Sequence, residues 1–402
     1  AGNRSGGVRM KLGFTTEQEA FRTEIAGWLE EQLSGPFADI RGVTSQTAVA
    51  ERRLEWEQVL GASKWSAIGW PEKYGGRNAD LAHQVIFAEE YARARAPGRL
   101  GHMGVELAGP TILHFGNDAQ RERFLPKMAS GEEMWCQGYS EPGAGSDLSS
   151  VRTKATLEDG PDGSRWVIEG QKIWTSLAQF AHWCFLICRT EAGSKGREGI
   201  SYLLVPMDQP GIEIRPIRQM TGEADFNEVF FDGAVTAAEN VVGLPGQGWQ
   251  VAMGTLSFER GVSTLAQQMH FRNELAEIID AANASGQNRN PLIRQKIARA
   301  WRGLQTMRAS ALRMLSGADS GALSGPQFTY KIFWATWHRE LGELAMEVLG
   351  QRGEIVGPDY ELTDLSLMYL FSRADTIYAG TNQIQRNVIS ERGLQMPKEP
   401  RG

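Results

Sequence analysis

The feature that most constrains this chain is a change of texture near Trp135. Before it, the sequence reads as helix. Phe21, Ile25, Trp28 and Leu29 recur at helical spacing and form one apolar stripe. A second stretch runs through Arg52, Leu54, Trp56, Val59 and Leu60, and a third covers about Ala82 to Arg95 and is closed by Pro97 and Gly98. Thr16 and Glu19 stand at capping-box spacing, which predicts that the first helix starts there. From Trp135 onward, Gly, Pro, Asp and Ser punctuate short runs of β-branched and aromatic residues. Asp162-Gly163 is a hairpin signal leading into Trp166-Val167-Ile168. Trp183 to Cys188, Ser201 to Val205, Ile212 to Ile217 and Glu228 to Phe231 follow as strands.

After Gly248 the helical period returns, over about Trp249 to Ala284, Leu292 to Ser316, Gln327 to Leu349 and Thr381 to Gly393. The expected fold is therefore α+β and multidomain. An N-terminal helical domain spans 12–134, a middle β-barrel or sandwich, expected to be antiparallel, spans 135–245, and a C-terminal four-helix bundle spans 246–395. Residues 1–9 read as a disordered leader.

Composition narrows the function. The chain of 402 residues carries a formal net charge of −6, which leaves no electrostatic footprint for nucleic acid. No apolar run approaches the roughly 20 residues of a membrane span. The three cysteines, Cys136, Cys184 and Cys188, form no CxxC pair, and the six histidines form no HxH or HExxH pattern. A reducing cytoplasm and no metal are the expectations.

The most informative stretch runs from Gly138 to Asp147, reading Gly-Tyr-Ser-Glu-Pro-Gly-Ala-Gly-Ser-Asp. Its glycines allow a ligand to approach the backbone, and Tyr139, Ser140 and Ser146 supply hydroxyls. It is neither GxGxxG nor a P-loop, and on spacing alone it is equally an ordinary surface turn. Two further stretches follow in order. Gly170 to Ser176 reads Gly-Gln-Lys-Ile-Trp-Thr-Ser, and Tyr378 to Arg386 reads Tyr-Ala-Gly-Thr-Asn-Gln-Ile-Gln-Arg. Together the three resemble the ordered signatures of the acyl-CoA dehydrogenases, and the α–β–α organisation matches that family from about Leu12 onward.

The resemblance implies FAD as cofactor, an acyl-CoA as substrate, and α,β-desaturation with hydride transfer to flavin N5. Carried over residue by residue, it assigns Gln137, Tyr139, Ser140, Gly145 and Ser146 in the first loop to the cofactor, with Ser146 also near CoA. Trp174 would pack on the isoalloxazine, with Thr175 beside it and Ser176 facing N5, and Thr381 and Gln383 would reach the FAD. By its spacing alone, Trp174 is equally a core aromatic on a strand. Ala379 and Gly380 would meet the thioester, with a backbone N–H at 379 polarising its oxygen, and Arg260 would line the pantetheine path.

The resemblance departs from the family at three places. Many members carry the catalytic carboxylate after the tyrosine of the last motif, where this chain has Ala379. Glu259, immediately before Arg260, falls on the position used by the isovaleryl-CoA and long-chain branch, and is the expected base. The family's Arg-x-x-Phe-Gly is replaced by Gly286 to Pro291, and its Gln-x-x-Gly-Gly turn by Leu349 to Gly353. Arg289 and Arg294 are candidate replacements for the arginine. The implied partners are an electron-transfer flavoprotein and further subunits, in a homodimer, a homotetramer or a hetero-oligomer. The alternatives on the same fold are a non-catalytic subunit of a hetero-oligomeric dehydrogenase and an oxygen-using oxidase or monooxygenase.

Overall fold

The structure is a computed structural model describing residues 14–398, apart from 44, 46, 47, 162, 259–261 and 318–324. In chain order the helices are α1 (Thr16–Ser34), α2 (Ala50–Ala62), α3 (Leu81–Arg93), α4 (Gly109–Phe115), α5 (Asp118–Ser130), α6 (Gly248–Phe258), α7 (Val262–Ser285), α8 (Pro291–Gly317), α9 (Gly325–Leu349), α10 (Asp364–Phe371) and α11 (Asn382–Val388). The strands are β1 (Trp135–Gly138), β2 (Lys154–Gly160), β3 (Gly163–Ser176), β4 (Trp183–Arg189), β5 (Ile200–Pro206), β6 (Ile212–Ile217) and β7 (Phe226–Ala237). They form two compact units. One comprises Gln32–Asp80 and Ala96–Gly261, the other Ala1–Glu31, Leu81–Arg95 and Val262–Gly402.

The first unit is built on a seven-stranded sheet in the order β1-β4-β2-β3-β7-β6, with β5 also on β4. The pairing is mixed, not wholly antiparallel as expected, because β1 and β2 run parallel to β4. The reason lies in β4 itself. Its five middle residues, Cys184 to Cys188, are all buried, so it lacks the alternation of a half-solvated strand and sits inside the sheet. β3 and β7 form the longest ladder, and β6 at the edge keeps the half-buried pattern read from its isoleucines. One apolar core on this unit joins α5, β1, β4 and β5 to Val251 and Ala252 of α6. α6 passes close to α4 at Gly254, where a Cβ would lie 2.5 Å from the Phe115 ring and would push that ring aside.

The second unit is helical. Its core takes Val85 from α3, Phe271, Leu275 and Ile278 from α7, Leu304 and Met307 from α8, Trp334, Leu341 and Leu344 from α9, and Leu365 and Met368 from α10. The three long helices α7, α8 and α9 are as expected, but the fourth stretch, Thr381 to Gly393, holds only the short α11 and a wider helical turn after it, and it is the eight-residue α10 that joins this core. α10 itself gave no periodic signal of its own, being only eight residues long. The single stretch read from Trp249 to Ala284 is two helices, α6 and α7. The first helix is capped one residue earlier than the spacing suggested. The Thr15 hydroxyl accepts from Gln18 N, and the Gln18 side chain accepts from Thr15 N, the reciprocal pair that Thr16 and Glu19 were expected to make.

Candidate active site

The loop after β1 is held from beneath by a buried ion pair. Lys172, on β3, has no exposed surface, and its Nζ donates to the Glu141 carboxylate at 2.8 Å and to the Tyr139 carbonyl at 3.0 Å. Glu141 also accepts from the backbone amides of Arg152 at 2.6 Å and Thr153 at 2.9 Å. Burial pushes the Glu141 carboxyl up, but the lysine and the amides outweigh it and hold it below its usual range. The neighbouring Cys188 thiol, by contrast, is pushed up by burial to about 12. Glu141 and Ala144 exchange backbone hydrogen bonds, closing a tight turn whose tip, Pro142 and Gly143, is exposed. A Cβ at Gly143 or Gly145 would meet nothing within 4 Å, and neither needs a left-handed φ. The fold itself therefore makes no demand for glycine there, and an approaching ligand would.

On the adjoining stretch of β3, register with β7 breaks between Lys172 and Thr175. The break turns Trp174 outward at φ 60°, in the left-handed region where a bulky side chain costs about 1–2 kcal/mol. Its indole is 56% exposed and touches the Phe226 ring edge-on at 6.1 Å. Thr175 is buried with its backbone carbonyl accepting from Asn227, and Ser176 is half-buried. The Gln137 amide nitrogen and the Thr175 hydroxyl are buried without a hydrogen-bond partner among the described residues. A strained, exposed aromatic plane beside orphaned polar groups and open glycines fits a flat, hydrogen-bonding ring system with an attached phosphate chain.

On the helical unit, the third motif forms a turn. Ala379 and Gly380 take φ 50° and 83°, and Thr381 caps α11 by accepting from Ile384 N at 3.1 Å. Buried Gln385 donates to the Ala379 carbonyl at 3.1 Å, and a Cβ on Gly380 would crowd that amide at 2.8 Å. Behind the turn lies a cluster that the sequence reading did not single out. His338 is buried, with Nδ1 2.5 Å from Asp375 Oδ2 and Nε2 2.9 Å from Glu274 Oε2. Burial pulls the imidazole down, but the two carboxylates outweigh it and raise it to about 10. The Tyr378 hydroxyl donates to Asp375 Oδ1 at 2.6 Å, and Lys331 Nζ donates to the Asp375 carbonyl at 2.7 Å.

The assigned residues thus fall into two groups. Gln137, Tyr139, Ser140, Gly145, Ser146, Trp174, Thr175 and Ser176 lie together around β1 and β3 on one unit, and Ala379, Gly380, Thr381 and Gln383 lie together at the start of α11 on the other. Glu259 and Arg260 lie outside the described residues. Arg289 and Arg294, the candidate replacement arginines, stand in the α7–α8 connection and the first turn of α8.

A helical, β and helical chain carrying this loop and this exposed indole is what the resemblance implies for a flavin-dependent oxidoreductase. Comparison with known families makes the class specific. The N-terminal, middle and C-terminal domain models of acyl-CoA dehydrogenase match residues 15–132, 136–234 and 246–394. The chain belongs to the acyl-CoA dehydrogenase family, and it is a flavoprotein oxidoreductase of lipid breakdown whose cofactor is FAD. It is 52% identical over 387 residues to the acyl-CoA dehydrogenase IpdE1 of Mycobacterium tuberculosis, covering 96% of this chain and 99% of that protein. Among solved structures it resembles the Tcur3481–Tcur3483 steroid acyl-CoA dehydrogenase at TM-score 0.85 and 28% identity, over 97% of this chain and 100% of that one. It also resembles the ChsE4–ChsE5 complex of Mycobacterium tuberculosis at TM-score 0.81 and 28% identity, with the same coverage. Among the described residues no helix is long and apolar enough to cross a membrane.

Proposed function

We propose that this chain desaturates the α,β bond of a steroid-derived acyl-CoA, with Glu259 as the base. The observation that carries the reading is the exposed Trp174, held at an unfavourable φ beside the braced loop 139–147. An exposed indole held at such a cost suits a flat partner. Bound FAD supplies the two-electron, hydride-accepting ring for such a reaction. The chain's own residues supply the rest. Gln137, Ser140 and Ser176 would offer hydrogen bonds to the ring edge, Gly145 and Ser146 would take the phosphate side, and Trp174 would wall one face, while the Tyr139 ring is buried in the apolar core beneath. Thr381 uses one of its two oxygen lone pairs to cap α11, so its hydroxyl proton remains free to donate. On the other unit Gln383, exposed on α11, is the further residue assigned to the cofactor.

The α-proton of a thioester is weakly acidic, and its removal needs a carboxylate at hydrogen-bond range together with fixed donors at the oxygen where charge develops. A backbone N–H at Ala379 is such a donor and is indifferent to the loss of a carboxylate from that side chain. With alanine at 379, the base must come from elsewhere, and Glu259 stands ahead of Arg260 at the position that the isovaleryl-CoA branch uses. Arg260 would line the pantetheine path.

The steroid-derived acyl group is taken from the named relatives, and so is a second chain. The Tcur3481–Tcur3483 and ChsE4–ChsE5 structures each pair two different chains by name. The family's Arg-x-x-Phe-Gly, whose arginine in the family contacts FAD across a subunit interface, is replaced here by Gly286 to Pro291, which favours a hetero-oligomer over a homodimer or homotetramer. An electron-transfer flavoprotein in the cytoplasm is the proposed acceptor.

The test is anaerobic bleaching of the FAD-loaded protein by a panel of thioesters. Polycyclic acyl-CoAs should bleach it faster than straight-chain ones, and Glu259→Gln should slow bleaching at least about 10³-fold. Unchanged bleaching in Glu259→Gln would remove the base assignment. Bleaching only when a partner chain is co-expressed would instead make this a subunit that completes another chain's site.

A further inference from the structure

The residues behind the Tyr378–Gly380 turn do more than fill the bundle. In the network described above, both imidazole nitrogens of His338 face carboxylate oxygens, an arrangement that an imidazolium, with its two N–H donors, satisfies. Asp375 lies between the imidazole and Tyr378. Its two oxygens accept from His338 and from Tyr378, so the direction of the Tyr378 hydrogen bond is fixed. Glu274 on α7, His338 and Lys331 on α9, and Asp375 and Tyr378 on the segment after α10 thereby form one line of charge. That line ends one residue before the left-handed Ala379. Phe271 stacks on the imidazole at 4.4 Å, and Trp334 and Phe371 flank the Tyr378 ring at 6.3 Å each.

A line of this kind is a poor way to hold a bundle together. An apolar set of the same volume is often as stabilising or more so. What it provides is direction at a turn whose outer residues, Ile377 to Ala379, are exposed.

We propose that Glu274, His338 and Asp375 are positioning residues which, through the Tyr378 hydroxyl, aim the Ala379 backbone amide at the thioester oxygen. The proposal rests on the desaturase reading above. It explains how a chain with alanine at this position keeps the turn in a conformation that alanine alone disfavours. The bond to Tyr378 and the Gln385 amide on the Ala379 carbonyl fix the turn from its two ends.

The experiment compares wild type, Tyr378→Phe, Asp375→Asn and the double variant as full-length, FAD-loaded proteins. Tyr378→Phe keeps the ring and loses only the hydroxyl, so it remains informative if Asp375→Asn folds poorly. The readouts are the anaerobic bleaching rate per bound FAD, and the affinity for an acyl-CoA relative to its thioether analogue, which lacks the carbonyl oxygen. Each single variant should bleach at least about 10-fold more slowly and lose at least half of the preference for the carbonyl compound, with thioether affinity within about twofold of wild type. The double variant should be no slower than the slower single, because both act through one hydrogen bond. A purely structural role would lower the folded or FAD-bound fraction and leave the rate per FAD and the carbonyl preference unchanged, which overturns the proposal. Multiplicative losses in the double variant also overturn it. A wild-type protein that no thioester bleaches removes the desaturase reading and this inference together, whereas a competent wild type with competent variants removes this inference alone.

Discussion

The loop at 139–147 and the turn at 378–380 are both braced from beneath by buried charge, but the two braces are built differently. Under the loop, one lysine meets one carboxylate, and the remaining lone pairs of that carboxylate go to backbone amides. Under the turn, a histidine sits between two carboxylates, and a tyrosine hydroxyl completes the set. The first brace is closed and ties backbone to backbone, so its loss should be felt mainly in folding and FAD retention. The second ends on a side chain next to an exposed peptide, so its loss should be felt mainly in rate.

The largest effect expected follows from the first brace. Lys172→Met leaves the Glu141 carboxylate buried against an apolar side chain. Breaking a buried pair from one side costs about 3–5 kcal/mol, far more than replacing both partners. Urea denaturation should show a loss of that size, together with loss of bound FAD. Adding Glu141→Gln should restore part of the stability, since the uncompensated charge is gone. If the double variant is as unstable as the single, backbone tethering by Glu141 matters more than its charge.

The second brace should reveal itself through pH. His338 titrates near 10 in the folded chain against an ordinary value of 6.5, so the folded state holds the extra proton between those values. Its contribution is complete below about 6.5 and is lost as pH rises through about 10. Lys331, which donates to the Asp375 carbonyl, runs the other way. Burial pulls it from 10.5 to about 8, so stability recovers with rising pH between those values. Glu274 and Asp375 face the imidazole, and the Tyr378 hydroxyl, tucked against Asp375 although the residue's outer edge is exposed, is held well above its ordinary range by its own burial and by the carboxylate. Between about pH 7 and 8, His338 is therefore the member of this set whose proton count differs most between the folded and unfolded states. Wild type should lose about 1.4 kcal/mol per pH unit relative to His338→Gln over that interval, read from urea midpoints. Parallel profiles would mean that His338 is not an imidazolium in the fold.

The same contrast explains what could be read from the sequence. The helical, β and helical order was legible because long periodic runs and short β-branched runs differ strongly even in one chain. The first brace lay half in view, since both Glu141 and Lys172 fall inside recognisable motifs, and a lysine placed where β3 turns inward is itself a signal. Of the second brace only Tyr378, at the head of the third motif, was in view. His338 stands 64 residues from Glu274 and 37 from Asp375, and nothing local marks a histidine in an apolar helix as the partner of two distant carboxylates. Mixed strand pairing escaped for a similar reason, because an all-apolar run such as β4 does not say which neighbours it will have.

The smallest expected effects separate strain that serves a ligand from strain that serves the fold. Trp174 and Ala379 both hold left-handed φ values, 60° and 50°. Glycine at either position removes the steric cost and adds backbone entropy to the unfolded chain, so each change should move stability by only about 1 kcal/mol. Their consequences for function should diverge. Trp174→Gly removes the indole and should weaken FAD retention at least about tenfold, measured by equilibrium dialysis. Ala379→Gly removes a methyl group while Gln385, Thr381 and Tyr378 still hold the turn, so bleaching should stay within about threefold of wild type. A large loss of rate in Ala379→Gly with FAD binding intact would show that the methyl group itself confines the peptide, and that the brace behind the turn is insufficient to aim it.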